Sequence, residues 1–419
     1  MKQMTIEKVV VTFLIGVLGL SSTANVFASA SQEDVKMGVY YYIWWGIPFN
    51  NHWEHGVKYT PFLGRYNSSD PLTADKHILW AKQHGIDFFA VSWLGEGKWI
   101  DWINWTEDHT WDFDEIDHNL RNITLNAPHL QNFNFCLFYE TEIVIRTANQ
   151  RPDKNFTEIF TDDIVYAAEN YFINPSYLRV NGRPVLFLYN LPYLYANLTT
   201  SRAQGLLNST RELSENMGVN IYFVGDVGPG PSPKDVNSDW LYSMDAVTSY
   251  FFSHHLISEG WQNIMKYAET YYPQWRLAMN SKGIRFIPNA YPGFDNTEYV
   301  IWLNRTYGLN RTSLDSVLPL NETMFKKMLT TALNYADKDL KIVMVTSWNE
   351  WLESTAIEPS MEFGELFLHA VLDAKTTQSC PDAWNVVYFA VGAGSGVIVT
   401  IIFFYIKSFR KRKRNWRLP

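Results

Sequence analysis

Three glutamates stand close together near the C-terminal end of the chain, beside two tryptophans. They are Glu350, Glu353 and Glu358, in the run from Thr346 to Pro359. Cleavage of a glycosidic bond uses a protonated carboxyl group at the leaving oxygen and an ionised carboxylate at the sugar. Burial beside an indole ring raises the pKa of one carboxyl group and separates these roles. Because Glu-x-x-Glu is also common on exposed helices, its position in the fold must decide whether it is catalytic.

Eight short apolar, β-branched or aromatic runs alternate with amphipathic stretches between residues 36 and 375. Continuous apolar runs suit strands that are buried on both faces, as parallel strands are. We therefore predict an α/β fold, a (β/α)₈ or TIM barrel, and keep an open doubly wound sheet as the alternative. The runs are Lys36–Tyr42, Ile86–Trp93, Phe133–Glu140, Pro184–Asn190, Asn220–Val227, Asp245–Phe252, Arg285–Tyr291 and Lys341–Trp348.

Helices are predicted in every connection except the fifth, which lacks a clear amphipathic pattern. The predicted helices are Thr73–His84, Glu115–Leu130, Ile159–Leu178, Arg202–Met217, Trp261–Met279, Glu322–Asp337 and Glu362–Leu372.

The glutamates follow the eighth run, where a barrel would place its active site. The loops after parallel strands meet around the barrel mouth. Acids, amides and aromatic residues end the other runs too, and such sets line carbohydrate clefts because flat rings cover the apolar faces of sugars. The strand-end residues are Trp44, Trp45, Ser92, Trp93, Tyr139, Glu140, Tyr189, Asn190, Asp226, Tyr250, Asn289, Tyr291, Asn349 and Glu350.

The run from Trp348 to Pro359 resembles the motif Asn-Glu-Trp-x-Glu-Gly-Thr-x-Ile-Glu-Pro of glycoside hydrolase family 99. That family contains endo-α-1,2-mannosidases and α-mannanases. Further segments are similar to it, discontinuously from Gly38 to Phe367. They are Tyr41–Gly46 with His52–Trp53, Tyr66–Pro71 with Gly85–Trp93, and Pro292–Thr297.

The resemblance implies a retaining reaction with Glu350 as general base and Glu353 as general acid/base. In that reaction the sugar's own 2-hydroxyl attacks the anomeric carbon, and water then opens a 1,2-anhydro sugar. It also matches His52, Trp93, Glu140 and Tyr250 to substrate subsites. With the other candidates, the predicted substrate-binding set is Trp45, His52, Trp53, Asp70, Trp93, Glu140, Tyr189, Tyr250, Asn349, Trp351 and Glu358. No cofactor and no metal are expected.

Departures from the family pattern leave other readings open. Leu352 stands where the family usually has His, and Ser354 where it usually has Gly. A glycan-binding module without turnover and a structural surface protein therefore remain alternatives. Asp70 equally suits a turn before a proline, and Glu358 equally suits a bond to loop backbone.

The two ends of the chain predict export and a membrane anchor. Residues 1–30 have the charged, apolar and small-residue order of a signal peptide, and the domain follows at 31–376. Residues 384–406 are apolar and uncharged, long enough to span a bilayer, and the basic run at 407–419 predicts a cytoplasmic tail. Nine sequons fit an exported, glycosylated domain; they begin at Asn67, Asn104, Asn122, Asn155, Asn197, Asn208, Asn304, Asn310 and Asn321.

The charge and the positions of Cys and His argue against a nucleic-acid-binding protein and a zinc protein. A net charge of −8, with the only dense basic run in the tail, argues against nucleic-acid binding. Cys136 and Cys380 are expected to stay unbridged, and no Cys/His cluster has zinc spacing. His52 and His55 could form a metal pair, but no third ligand stands near them in the sequence, so a loop contact is the better interpretation. The expected partners are a glycan and, through the C-terminal helix, a membrane.

Overall fold

The computed structural model describes residues 35–47, 51–96, 113–149, 153–228, 232–250, 257–308, 310 and 317–378. The predicted signal peptide, transmembrane helix and basic tail lie outside these ranges, as does Cys380. Within them, no helix combines the length and apolar character needed to cross a membrane.

All eight predicted runs contain a strand, and the strands of these runs form one parallel sheet; the short β4 lies outside the runs. The strands are β1 (Lys36–Tyr41), β2 (Phe88–Trp93), β3 (Asn134–Tyr139), β4 (Arg179–Val180), β5 (Arg183–Leu188), β6 (Tyr222–Asp226), β7 (Ala246–Thr248), β8 (Arg285–Ile287), β9 (Asn289–Ala290) and β10 (Ile342–Val345). Their order is β8-β7-β6-β5-β3-β2-β1-β10-β9, and the short β4 pairs antiparallel with β5 at one side.

The sheet closes into a barrel at the seventh predicted run. Only Pro288 separates β8 from β9; it has no N–H to donate, but its carbonyl accepts a hydrogen bond from Met344 N at 2.9 Å. β8 pairs with β7, and β9 pairs with β10. The same run therefore joins both ends of the strand order, which confirms the predicted barrel over the open sheet.

Helices cover the outside of the barrel. They are α1 (Pro71–Gln83), α2 (Phe113–His118), α3 (Thr141–Ala148), α4 (Phe156–Asn170), α5 (Leu191–Asn197), α6 (Thr200–Asn216), α7 (Gly260–Asn280), α8 (Thr297–Tyr307), α9 (Glu322–Tyr335) and α10 (Leu366–Gln378). Each predicted helical stretch overlaps one of them. The short helices α3, α5 and α8 were not predicted. In the fifth connection, the described residues contain only a 3₁₀ turn at Ser238–Leu241.

Aromatic rings fill the barrel interior below the strand ends. The ring of Tyr40 lies 4.7 Å from Phe138, 6.1 Å from Phe187 and 4.9 Å from Tyr250. Since successive side chains of a strand point to opposite faces, the residues two positions beyond these rings also point inward. That alternation brings Tyr42, Glu140 and Tyr189 to the mouth.

Candidate active site

The loop after β10 fixes the orientation of Glu350. The Glu350 N–H donates to Ser347 Oγ at 2.7 Å, and this oxygen lies 2.8 Å from Thr355 Oγ1. The Thr355 N–H donates to the Glu350 carbonyl at 3.2 Å. The Leu352 N–H donates to Glu350 Oε1 at 3.1 Å. The main chain therefore positions this carboxyl group, and the N–H of Leu352 opposes part of the rise in its pKa that burial causes.

Glu353 lies beside Glu350 but has a different set of contacts. Tyr250 makes a side-chain hydrogen bond to its carboxyl group, whereas the buried Oε2 has no hydrogen-bond partner among the residues that the structure describes. Burial raises the pKa of Glu353 to about 7. Burial and then repulsion from Glu353 raise the pKa of Glu350 well above its usual value. Two buried carboxyl groups that repel each other hold a shared proton near neutral pH.

A third carboxyl group, that of Glu140, faces the pair from the end of β3. Ser92 Oγ donates to Glu140 Oε1 at 2.7 Å. Burial raises the pKa of Glu140 to about 8, with smaller contributions from repulsion by Glu142 and Glu353, while the hydrogen bond from Ser92 opposes the rise. Glu140 is therefore protonated at neutral pH and can donate a hydrogen bond into the mouth.

Two tyrosine hydroxyls meet next to these carboxyl groups. Tyr42 Oη lies 2.6 Å from Tyr250 Oη. Burial raises the pKa of both well above the usual value, and nearby carboxylates, those of Glu350 and Glu353 among them, raise both further. Both tyrosines therefore stay neutral. Sequence reasoning included Tyr250 but missed Tyr42, although its place at the end of the first apolar run was the available signal.

Tyr189 and Asp226 complete the opposite side of the mouth. The ring of the half-buried Tyr189 lies 5.7 Å from Tyr250 and 5.4 Å from Phe138. Asp226 accepts backbone N–H groups, including those of Asn190 at 3.1 Å and Tyr250 at 3.0 Å. Asp226 therefore holds the loop ends that carry the two tyrosines.

Three of the predicted substrate-binding residues form an aromatic cluster near the end of β1. The rings of Trp44 and His52 stack at 5.3 Å, and the rings of Trp45 and Trp53 lie 4.2 Å apart. Trp53 Nε1 donates to the Tyr66 carbonyl at 2.6 Å. Trp45, His52 and Trp53 are each at most 2% exposed, so they are packed inside the protein and present no open ring face.

Asn349 joins the first strand to the loop after the last one. Its Oδ1 accepts from Tyr42 N at 2.8 Å, and its Nδ2 donates to the Tyr42 carbonyl at 2.8 Å and to Tyr66 Oη at 3.0 Å. The residue is fully buried. Asn349 was predicted to bind substrate, but its amide is occupied in positioning Tyr42.

Glu358 is also engaged inside the protein. Tyr66 Oη donates to its Oε2 at 2.7 Å, Trp351 Nε1 donates to the same oxygen at 3.2 Å, and His77 Nε2 lies 3.0 Å from its Oε1. Both carboxylate oxygens thus have buried partners. In this structure Glu358 and the Trp351 indole N–H hold the loop after β10, and their contact with substrate stays a prediction.

Trp93 and Asp70 lie away from the mouth. Trp93 is the outward residue after the inward Ser92, and its Nε1 donates to Asp117 Oδ1 at 3.0 Å in the helix layer. Asp70 caps α1, since its Oδ1 accepts from Leu72 N at 2.9 Å. The alternation of side chains along β2 and the capping of a helix therefore explain these two positions without a substrate.

Ser354 occupies a backbone conformation that favours glycine. Its φ is 54°, in the left-handed region. Its Oγ donates to the Asp295 carbonyl at 2.6 Å, and the Asp295 N–H donates to the Glu353 carbonyl at 2.8 Å. A hydrogen bond from the side chain thus offsets the cost of a serine here and ties the turn to the loop after β9.

A protein-family model described as Glycosyltransferase WbsX matches residues 125–371 of this chain. The chain belongs to the WbsX family. The matched region includes the three glutamates of the mouth, Glu140, Glu350 and Glu353.

Curated relatives and solved structures that resemble this WbsX-family chain include endo-α-mannosidases. Mouse glycoprotein endo-alpha-1,2-mannosidase is 23% identical over 351 residues, which are 76% of this chain and 64% of the mouse protein, so the chain spans less than two thirds of that relative. A structure named glycoside hydrolase-like protein has a TM-score of 0.62 at 19% identity, covering 82% of this chain and 94% of that one.

The GH99 endo-alpha-mannosidase from Bacteroides thetaiotaomicron has a TM-score of 0.57 at 18% identity and covers 82% of this chain and 97% of that one. At these sequence identities, similarity to the two solved structures is evidence for the fold alone. Their fold agrees with the closed barrel of this chain. With the family match and the mouse relative, they confirm the family-99-like domain that the motifs predicted.

Proposed function

We propose that this chain is a retaining glycoside hydrolase of the endo-α-mannosidase type, with Glu350 and Glu353 as its catalytic carboxylates. The observation that carries the proposal is the buried carboxyl pair at the barrel mouth, where burial and mutual repulsion keep one proton on the pair near neutral pH. A pair in this state supplies an acid and a base together. The names of the mannosidase relatives point to the same chemistry.

In the proposed first step, Glu350 removes the proton from the sugar's 2-hydroxyl. The N–H of Leu352 opposes the rise in the pKa of this base that burial and Glu353 cause. The 2-oxygen forms a bond to the anomeric carbon as the bond to the leaving oxygen breaks, and Glu353 donates its proton to that oxygen. The product in the site is a 1,2-anhydro sugar.

In the second step, Glu353 takes a proton from water, whose oxygen attacks the anomeric carbon. The bond between that carbon and the 2-oxygen breaks, and Glu350 returns its proton to the 2-oxygen. Two inversions at one carbon retain the anomeric configuration. We expect the neutral Glu140 and the paired hydroxyls of Tyr42 and Tyr250 to hold sugar oxygens during both steps.

The proposal is tested with Glu350→Gln and Glu353→Gln, assayed on a panel of α-mannosides. Each variant should lose activity by about a thousandfold, as expected for removal of a general acid or base, while its circular dichroism stays unchanged. Glu215→Gln, on the exposed face of α6, is the matched control and should retain activity. Unchanged turnover in both active-site variants would refute the assignment.

Product analysis separates hydrolysis from the other candidate functions. The family description names a glycosyltransferase, and a sugar hydroxyl in place of water in the second step would give transfer. A nuclear magnetic resonance assay with and without an added acceptor sugar should show the retained hydrolysis product in both cases. Glycan binding with no product after long incubation would instead support a binding module that has lost turnover.

We also propose that the domain is exported and anchored by residues 384–406, with the tail at 407–419 in the cytoplasm. Of the sequon asparagines in the described ranges, only Asn304 is half-buried; Asn67, Asn122, Asn155, Asn197, Asn208, Asn310 and Asn321 are exposed. Exposed acceptors suit glycosylation of an extracytoplasmic domain. Glycosidase treatment should lower the apparent mass, and protease added to intact cells or sealed vesicles should distinguish the two sides of the membrane.

A further inference from the structure

Two histidines and a glutamate meet where α1 and α10 pack in the helix layer. His84 follows the end of α1, while Glu365 and His369 lie at the start of α10. Their potential ligand atoms all lie within 4.8 Å of one another. We propose that these three side chains bind a divalent transition-metal ion such as Zn²⁺, at a site separate from the barrel mouth.

The spacing of the three side chains suits metal ligation better than direct hydrogen bonding. Glu365 Oε2 lies 3.6 Å from His84 Nε2 and 3.8 Å from His369 Nε2. Hydrogen bonds between nitrogen and oxygen are shorter, about 2.7 to 3.2 Å. Two ligand atoms at about 2.1 Å from a tetrahedral Zn²⁺ lie roughly 3.4 Å apart. Both distances from the Glu365 oxygen are therefore within a few tenths of an ångström of the separation expected between two ligands of the ion.

The ring of His84 is already oriented for this role. Its Nδ1 lies 2.8 Å from the Trp80 carbonyl, and since a carbonyl oxygen only accepts, Nδ1 must carry the proton. In the neutral ring the lone pair is then on Nε2, the atom that faces Glu365. A histidine ligand commonly donates its other ring N–H to a backbone carbonyl in this way.

The other two ligands, Glu365 and His369, are four residues apart, about one turn of helix. The His369 N–H donates to the Glu365 carbonyl at 2.9 Å, so the two side chains leave the same face of α10. Both are exposed at the side chain, by 42% for Glu365 and 60% for His369. Water can therefore complete a coordination of two nitrogens and one carboxylate oxygen.

Such an ion would fasten the first helix of the barrel to the last. The two helices already meet close by, where Lys375 Nζ donates to the Gly85 carbonyl at 2.8 Å. Because the ligands come from the beginning and the end of the domain's sequence, a bound ion would resist separation of the first and last helices and raise the unfolding temperature. The three ligands have no zinc spacing in the sequence because only the closed barrel brings them together.

The test is titration of the purified, tag-free full chain with ZnCl₂ by isothermal calorimetry, followed by Co²⁺ absorption spectroscopy. One equivalent should bind, and Co²⁺ should give the intense visible bands of a tetrahedral site. Glu365→Gln and His369→Gln, both at exposed positions, should each weaken Zn²⁺ binding by at least about tenfold. Zn²⁺ should raise the melting temperature of the wild type but not of these variants.

The matched control is His118→Gln, which removes an exposed histidine from α2 and should leave Zn²⁺ affinity unchanged. Circular dichroism without metal should match the wild type for all three variants. The proposal is overturned if the wild type takes up no Zn²⁺ at submillimolar concentration. It is also overturned if Glu365→Gln combined with His369→Gln binds the ion as tightly as the wild type.

Discussion

The stability of the folded chain should depend on pH through Glu140. This glutamate is 4% exposed, and burial raises its pKa from 4.5 to about 8. Replacement by glutamine keeps the shape of the side chain and an oxygen that can accept the hydrogen bond from Ser92. The substitution removes the ionisable proton and little else.

The expected size follows from proton linkage. Below pH 4.5 the folded and unfolded chains both hold the proton on Glu140. Between 4.5 and about 8 the unfolded chain releases it while the folded chain retains it, so the free energy of unfolding falls by about 1.4 kcal/mol per pH unit. Relative to its value at low pH, this contribution has fallen by on the order of 5 kcal/mol at pH 8 and changes little above that.

The assay is urea unfolding of the full chain at intervals from pH 5 to pH 8. Asp163 and Glu353, each with a pKa raised to about 7, titrate in both proteins, so only the difference between wild type and Glu140→Gln is interpreted. The variant should gain stability relative to the wild type as the pH rises, and Glu215→Gln should follow the wild type. If the wild-type and Glu140→Gln curves stay parallel over this range, Glu140 is not a buried neutral group and the reasoning fails.

Substitutions at three further residues test the contacts around the site. Tyr250→Phe removes a hydrogen bond that lowers the pKa of Glu353, so the alkaline limb of the rate profile should move to higher pH; an unmoved limb would contradict the contact. Ser354→Ala should lose about 1 kcal/mol of unfolding free energy because the strained φ remains without its hydrogen bond, whereas Ser354→Gly should stay near wild type in the same urea assay. His77→Leu leaves a buried carboxylate oxygen of Glu358 without its partner and should cost about 2 to 3 kcal/mol; a change below 0.5 kcal/mol, on the scale of a surface substitution, would refute the positioning role.

The fold was predictable because each parallel strand of the barrel is a short apolar run between amphipathic helices, which a local sequence pattern shows. The ends of the strands were harder to predict. Pro288 divides the seventh run into β8 and β9, and only the closed structure shows that both parts belong to one barrel strand. The helices α3 and α5 were missed because they are short and directly follow strand ends, where polar residues had been attributed to the site alone.

Part of the site was predictable for the same reason and part was not. Strand ends meet at the mouth, so Glu140, Tyr250 and Glu350 could be grouped from the sequence. Strand β2 is buried at every position, however, so its residues show no alternation between exposed and buried faces and the outward direction of Trp93 could not be deduced. The partners of Glu358 come from distant segments, and no local pattern could show that they occupy both of its oxygens.

The departures from the family-99 pattern alter the surroundings of the carboxyl pair more than the pair itself. Leu352 replaces a histidine, but the contact that it makes to Glu350 comes from its backbone N–H, which any side chain would leave in place. Ser354 replaces a glycine, but the hydrogen bond that its hydroxyl donates offsets the free-energy cost of its left-handed φ. The substituted side chains should therefore change which sugar is held, while the proton shared by Glu350 and Glu353 remains. This is why the geometry favours turnover over glycan binding alone.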